Sequence, residues 1–209
     1  MSIRLSLAAG LLLGASVVHA QEPALAIKEG ALDRIDLFTL TLDTPKSTAV
    51  AIVPFDTTET DLGTGGKDGK QTRREEAQTM QAEGPRVLVE RFVSELKASG
   101  QFSDVVALKA GETPPQGALV MTGRFVTLDP GSRAKRYFAG FGAGKSSVKV
   151  AGEVKDSGGK TLATFEQRRI GAMGMGGGDS LGKLMSDSRS IGEDLAKFMA
   201  KWAQGEKLK

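Results

Sequence analysis

The run Ala49-Val50-Ala51-Ile52-Val53-Pro54-Phe55 carries no polar residue at any alternate position. A short, continuous apolar run rich in β-branched residues is the pattern of a strand buried on both faces. Such a strand must sit inside a sheet that other elements cover, so the rest of the chain has to supply helices and further strands. Nothing else can staple the fold. The chain has no cysteine, and its one histidine is His19. Disulfides are therefore impossible, and stability must come from packing.

His19 belongs to a segment expected to be removed. Met1-Ser2-Ile3-Arg4 carries one positive charge, Leu5 to Val18 is apolar, and Val18-His19-Ala20 places small residues before the polar Gln21-Glu22-Pro23. This is the layout of a cleavable secretory signal over residues 1–20. The apolar part is too short to span a bilayer, which takes ~20 residues. A mature chain starting at Gln21 and working in a bacterial periplasm is the expectation, and with no cysteine beside the cleavage site no lipid anchor is expected. Residues 21–47 read as an N-terminal extension with one possible strand, residues 48–203 as a single domain, and residues 204–209 as a C-terminal tail.

Losing the leader takes the 28 basic residues to 27, against 25 acidic ones. So balanced a charge implies no nucleic-acid partner. The mature chain would contain neither imidazole nor thiol. That excludes Ser-His-Asp and Cys-His catalysis, a histidine proton shuttle, and the usual zinc and copper sites. Carboxylate chemistry, a Ser-Lys pair or an oxygen-ligand metal remain open. No cofactor and no metal site is expected, and the reading is of a protein that is not an enzyme.

Along the chain, the alternation in Leu37-Phe38-Thr39-Leu40-Thr41-Leu42 suggests one short strand. Residues 56–83 turn polar and glycine-rich and read as an exposed connection, weakly helical only from Arg73 to Gln81. Pro85 suits a first helical turn, Leu88, Val89, Phe92, Val93 and Leu96 recur at helical spacing, and Gly100 reads as the C-cap. Strands are expected at Phe102 to Leu108, Ala118 to Leu128, Ser147 to Lys155 and Thr161 to Arg168. Asp156-Ser157-Gly158-Gly159 turns the last two into a hairpin. A final helix, capped by Asp179 or Ser180, carries the stripe Leu181, Leu184, Met185, Ile191, Leu195, Phe198, Met199 and Trp202. The resulting fold class is α/β in the α+β sense, a single mostly antiparallel or mixed sheet covered by helices.

Two segments invite a functional reading. Asp56, Glu59 and Asp61 follow a buried strand, where α/β active sites often lie, and would serve a periplasmic carboxylate-dependent hydrolase. The commoner meaning of acids there is a solvated turn. Between two strands, DPGSRAKRYFAGFGAGKSS runs from Asp129 to Ser147. Its Ala139 to Ser146 fits a relaxed phosphate-binding loop. However, the lead-in is basic and aromatic, and the residues after Ser146 alternate as a strand where that motif needs a helix. Nucleotide binding is not expected. The same loop sets Arg133, Lys135, Arg136 and Lys145 beside Tyr137, Phe138 and Phe141, which suits contact with an acidic partner or an anionic lipid layer.

That loop, preceded by VMTGRFVTL and set in order with VAIVPFD, RFVSELKASGQFSDV and the C-terminal helix, resembles the bacterial family catalogued as domain of unknown function 4410. The resemblance implies an exported envelope protein, often a lipoprotein, without established activity. This chain departs from the lipoprotein pattern in lacking the anchoring cysteine. More distantly, the layout is similar to the α/β domains of periplasmic assembly factors and of lipoproteins of curli and exopolysaccharide secretion. The expected role is a binding or assembly module of the envelope, with self-association or another envelope protein as partner and the Arg133–Ser147 loop as contact surface.

Overall fold

A computed structural model of the chain describes residues 22–63, 71–131, 145–171 and 180–208. The expected leader lies outside them. The elements are β1 (Leu25–Glu29), β2 (Leu32–Leu37), β3 (Ala49–Ile52), α1 (Gln71–Ser99), β4 (Asp104–Ala107), β5 (Leu119–Asp129), β6 (Ser147–Lys155), β7 (Thr161–Ile170) and α2 (Ser180–Ala203). The strands form one mixed seven-stranded sheet in the order β1-β2-β7-β6-β5-β3-β4. The pairs from β1 through β7 and β6 to β5 are antiparallel, and β3 runs parallel to both β5 and β4. With two long helices, this is an open α+β fold, as the residue pattern implies.

β3 is buried on both sides for the reason its composition gives. Val50 and Ile52 point into the main core with Leu88, Phe92, Leu96 and Phe198. Ala51 points the other way, into a small cluster with Leu108 and Ala118. The helices supply one cover, and the chain flanking the Pro114-Pro115 break supplies the other. Alternation in β6 and β7 does the sorting elsewhere: Val148, Val150, Val154, Ala163 and Phe165 are fully buried under the helices. The β6–β7 hairpin closes where the Asp156 carboxylate accepts the backbone N–H groups of Gly158 and Lys160 at 2.9 and 3.0 Å. Gly159 takes φ +83° there, a conformation that side chains disfavour.

α1 corrects the expectation that a helix opens at Pro85. It begins nearly four turns earlier, at Gln71, and carries Pro85 in its interior. An interior proline costs roughly 3 kcal/mol. Burial outweighs that cost, because Ala77 and Met80, both on the N-terminal half, are completely covered. The supposed exposed connection is therefore helical from Gln71 onward. Gly100 ends α1 as expected, at φ +62°, its N–H bonded to the Lys97 carbonyl.

The N-terminal region needs a second correction. The expected strand over Leu37 to Leu42 is absent, Leu37 being the last residue of β2 and Phe38 to Leu42 lying outside any strand. A hairpin of β1 and β2 precedes that segment, and β2 pairs with β7 from Arg34↔Glu166 to Leu37↔Ala163. The segment after Leu37 instead ties the sheet to α2. Trp202, stacked on Phe198 with ring centroids 5.6 Å apart, donates its indole N–H to the Thr39 carbonyl at 3.2 Å. Lys201 pairs with Glu29 of β1 at 2.6 Å. Leu208, beyond α2, is also buried in the core.

α1 and α2 touch at backbone distance. A Cβ on Gly192 of α2 would lie 2.4 Å from the Leu88 carbonyl oxygen and 3.1 Å from the Phe92 nitrogen. Beside this contact Arg91 pairs with Glu193 at 3.0 Å. Where β5 and β6 meet, Gly123 and Gly152 are register partners. The Phe55 and Phe165 rings fill the space their side chains would have taken.

Candidate functional site

Among the described residues, both helices pack on one face of the sheet, and the opposite face of β2, β7, β6 and β5 is left open. Residues directly opposite one another in a ladder project to the same side. The registers therefore assemble rows across this face. Arg34 lies opposite Glu166, Glu166 opposite Ala151, Ala151 opposite Arg124, and Arg124 bridges to Asp56. The next row runs Asp36, Thr164, Glu153, Thr122. Two shallow grooves flank the centre. One, of about 280 Å³, lies among Arg34, Asp36, Thr164 and Glu166; the other, of about 390 Å³, lies among Asp56, Thr122, Arg124 and Glu153. Both share Ala151, Gly152 and Thr164.

Neighbours on this face are partly neutralised within the chain. Lys149 pairs with Glu166 at 2.9 Å, Lys155 with Glu153 at 2.6 Å, and Arg34 with Asp36 at 2.8 Å. Arg124 is exposed and enters no ion pair among the described residues.

Asp56 sits on this face because the chain after β3 continues alongside β5. The Asp56 N–H donates to the Gly123 carbonyl at 2.9 Å, and its own carbonyl accepts from the Phe125 N–H at 2.8 Å. Asp61 repeats the pattern with Val126 and Leu128. The Asp56 carboxylate accepts the Thr58 hydroxyl at 2.6 Å and the Thr58 backbone N–H at 2.9 Å. Those bonds, the hydroxyl first, hold its pKa below the ordinary aspartate value, helped by the Thr57 N–H and the charge of Arg124. Asp61 accepts the Gly63 N–H at 3.1 Å. Both acids therefore brace turns. A general acid needs its pKa raised, and the shift at Asp56 runs the other way.

Of the basic and aromatic loop residues singled out from the sequence, only Lys145 falls within the described part of the chain, where it is half-buried. Arg133, Lys135, Arg136, Tyr137, Phe138 and Phe141 lie outside it. Immediately after Lys145 the chain enters the sheet: Ser146 and Ser147 are buried, and β6 starts at Ser147. The phosphate-binding pattern thus leads into β-structure.

A buried polar group links β7 to α2. Gln167, fully covered, donates to Asp194 at 2.6 Å, and Arg169 bonds the same carboxylate oxygen. This joins sheet to helix on the core side, away from the open face. Among the described residues, no group of three or more His, Cys, Asp or Glu is placed to hold a metal ion. No described helix is long and apolar enough to cross a membrane.

The open face escaped the sequence reading because it depends on register. The polar positions of β6 were visible as Lys149, Glu153 and Lys155, but nothing local says that Arg34 will lie beside Glu166.

The chain belongs to the DUF4410 family, described as a domain of unknown function, whose model matches residues 44–175. Among solved structures it bears a distant likeness to the PelC dodecamer from Paraburkholderia phytofirmans. The TM-score is 0.42 at 13% identity, over 82% of this chain and 94% of that one. A single-substitution form of that dodecamer gives a TM-score of 0.40 at 18% identity, over 77% and 95%. A Xanthomonas campestris protein of the DUF330 family gives 0.44 at 10% identity, over 79% and 91%. No curated protein matches the chain in sequence.

Proposed function

We propose that this member of the DUF4410 family is an exported, periplasmic cell-envelope protein that works by binding and assembly, and that its first partner is further copies of itself. The observation that carries the reading is the open face. Five neighbouring segments present exposed charges and small side chains there, with no described helix above them. A sheet usually needs one buried face, and a second face this regular in its charges suits a protein partner. Residues 133–147, which connect β5 to β6 in the sequence, would add basic and aromatic contacts. They could also reach an anionic lipid layer.

A carboxylate hydrolase is the competing class. It is less well supported, because the Asp56 carboxylate is committed to Thr58 and Asp61 to Gly63.

Expressing the full chain in a bacterial host tests the reading. The expected product is a periplasmic protein whose intact mass begins at Gln21 and which sediments heavier than a monomer. A retained Met1 would overturn the export reading, and a strictly monomeric mature protein would overturn the assembly reading.

A further inference from the structure

We propose that the open face docks on the same face of a second copy, about a two-fold axis running along β6 past Ala151. The inference rests on the assembly reading above and gives it a surface. Its basis is the order of charges in the central row: Arg34 positive, Glu166 negative, Ala151 neutral and small, Arg124 positive, Asp56 negative. Reflected about Ala151, every charge meets its opposite. A two-fold axis along β6 performs that exchange, laying β5 of one copy over β7 of the other. Arg124 then faces Glu166 of the second copy, and Arg34 faces Asp56 of the second copy. Symmetry makes each meeting twice.

The neighbouring row conforms, since Thr122 falls over Thr164. On the axis like residues must meet, and there the chain places Ala151 at the centre. The charged residues of β6 on either side are already satisfied, Lys149 by Glu166 and Glu153 by Lys155. Twist helps as well. Packed sheets incline their strands by about 30°, so the axis crosses Ala151 midway between the two β6 directions, and Lys149 and Lys155 of the two copies are carried apart. Sheets stack about 10 Å apart, a gap that arginine and glutamate side chains reaching from both sides can bridge.

The size of the face sets the strength. Four inter-strand spacings of about 4.8 Å by roughly 30 Å of strand give roughly 600 Å² per copy. A standard stable interface takes ~800 Å² per partner. Association through this face is therefore reversible and depends on its ion pairs, so it weakens with salt.

A charge exchange tests this on the mature chain, residues 21–209. Arg124 and Glu166 lie two strands apart and form no ion pair with each other, Glu166 pairing with Lys149 instead. Sedimentation equilibrium would compare wild type, Arg124→Glu, Glu166→Arg and the double variant, with melting temperatures to show that each is folded. Each single reversal is expected to weaken dimerisation about tenfold or more, and the double variant to dimerise clearly more tightly than either single, short of wild type because Glu166→Arg also removes the partner of Lys149. Folded single variants that dimerise like wild type, or a double variant no better than the singles, would overturn the inference. In that outcome a wild-type dimer keeps the assembly reading and moves its interface elsewhere. A wild-type chain that stays monomeric throughout removes both.

Discussion

Replacing Gly192 by alanine sets two effects of opposite sign against each other within α2. Alanine is favoured over glycine in a helix interior by about 0.8–1.0 kcal/mol, so on propensity alone the change would stabilise. The new Cβ, however, would lie 2.4 Å from the Leu88 carbonyl oxygen and 3.3 Å from the Arg91 Cβ. The obstruction is backbone and cannot swing aside. The helices would have to part by roughly half an ångström or more, loosening contacts at their optimal separation. Leu88, Phe92, Ile191 and Leu195, all completely buried, line this region. Overpacking of a tight core typically costs about 1–3 kcal/mol, which exceeds the propensity gain. The net expectation is a loss of up to about 2 kcal/mol, or up to roughly 8 °C in melting temperature for a domain of this size. Gly182, exposed near the start of the same helix, is the control, and alanine there should leave stability unchanged or raise it. Urea and thermal unfolding of the two variants beside wild type decide the matter. A Gly192→Ala protein as stable as wild type, or more so, would refute the close backbone contact between α1 and α2.

Thr58→Val removes the largest cause of the lowered Asp56 pKa, so an NMR titration should find that carboxyl moved up toward the ordinary aspartate value. A depressed folded-state pKa contributes stability above the unfolded-state value and loses it as pH falls through the folded value. The deficit of the variant should therefore show near neutral pH and vanish in acid. Replacing Tyr137, Phe138 and Phe141 together by serine should leave the melting temperature nearly unchanged while weakening envelope association. An unfolded triple variant would place those rings in the core instead.

Much of the fold was legible where one segment carries its own signal. β3 declares its two buried faces by lacking alternation, and the β6–β7 hairpin declares itself by having alternation around Asp156-Ser157-Gly158-Gly159. Trp202 and Phe198 fall on the apolar stripe of α2 and are buried as that stripe requires. Failures came where tertiary packing overrode a local signal. Pro85 reads as the opening of a helix, yet the burial of Ala77 and Met80 carries α1 across it. The alternation from Leu37 to Leu42 imitates a strand, but Leu40 is 56% exposed and the Thr39 carbonyl serves Trp202, 163 positions away. The candidate site was the least legible part. Its central row joins residues 34, 56, 124, 151 and 166, and only strand register makes them neighbours.

A single introduced thiol reports on pairing through the open face, because this sequence contains no cysteine. Ala151→Cys places that thiol on the proposed two-fold axis, and Arg86→Cys places it on an exposed position of α1 as a comparison. Whole cells carrying either variant would be treated with a short bis-maleimide spanning about 10 Å, the spacing of stacked sheets. Pairing through the open face predicts a covalent dimer for Ala151→Cys and little or none for Arg86→Cys. Absence of the dimer in the Ala151→Cys cells, or equal yields from the two variants, would contradict it.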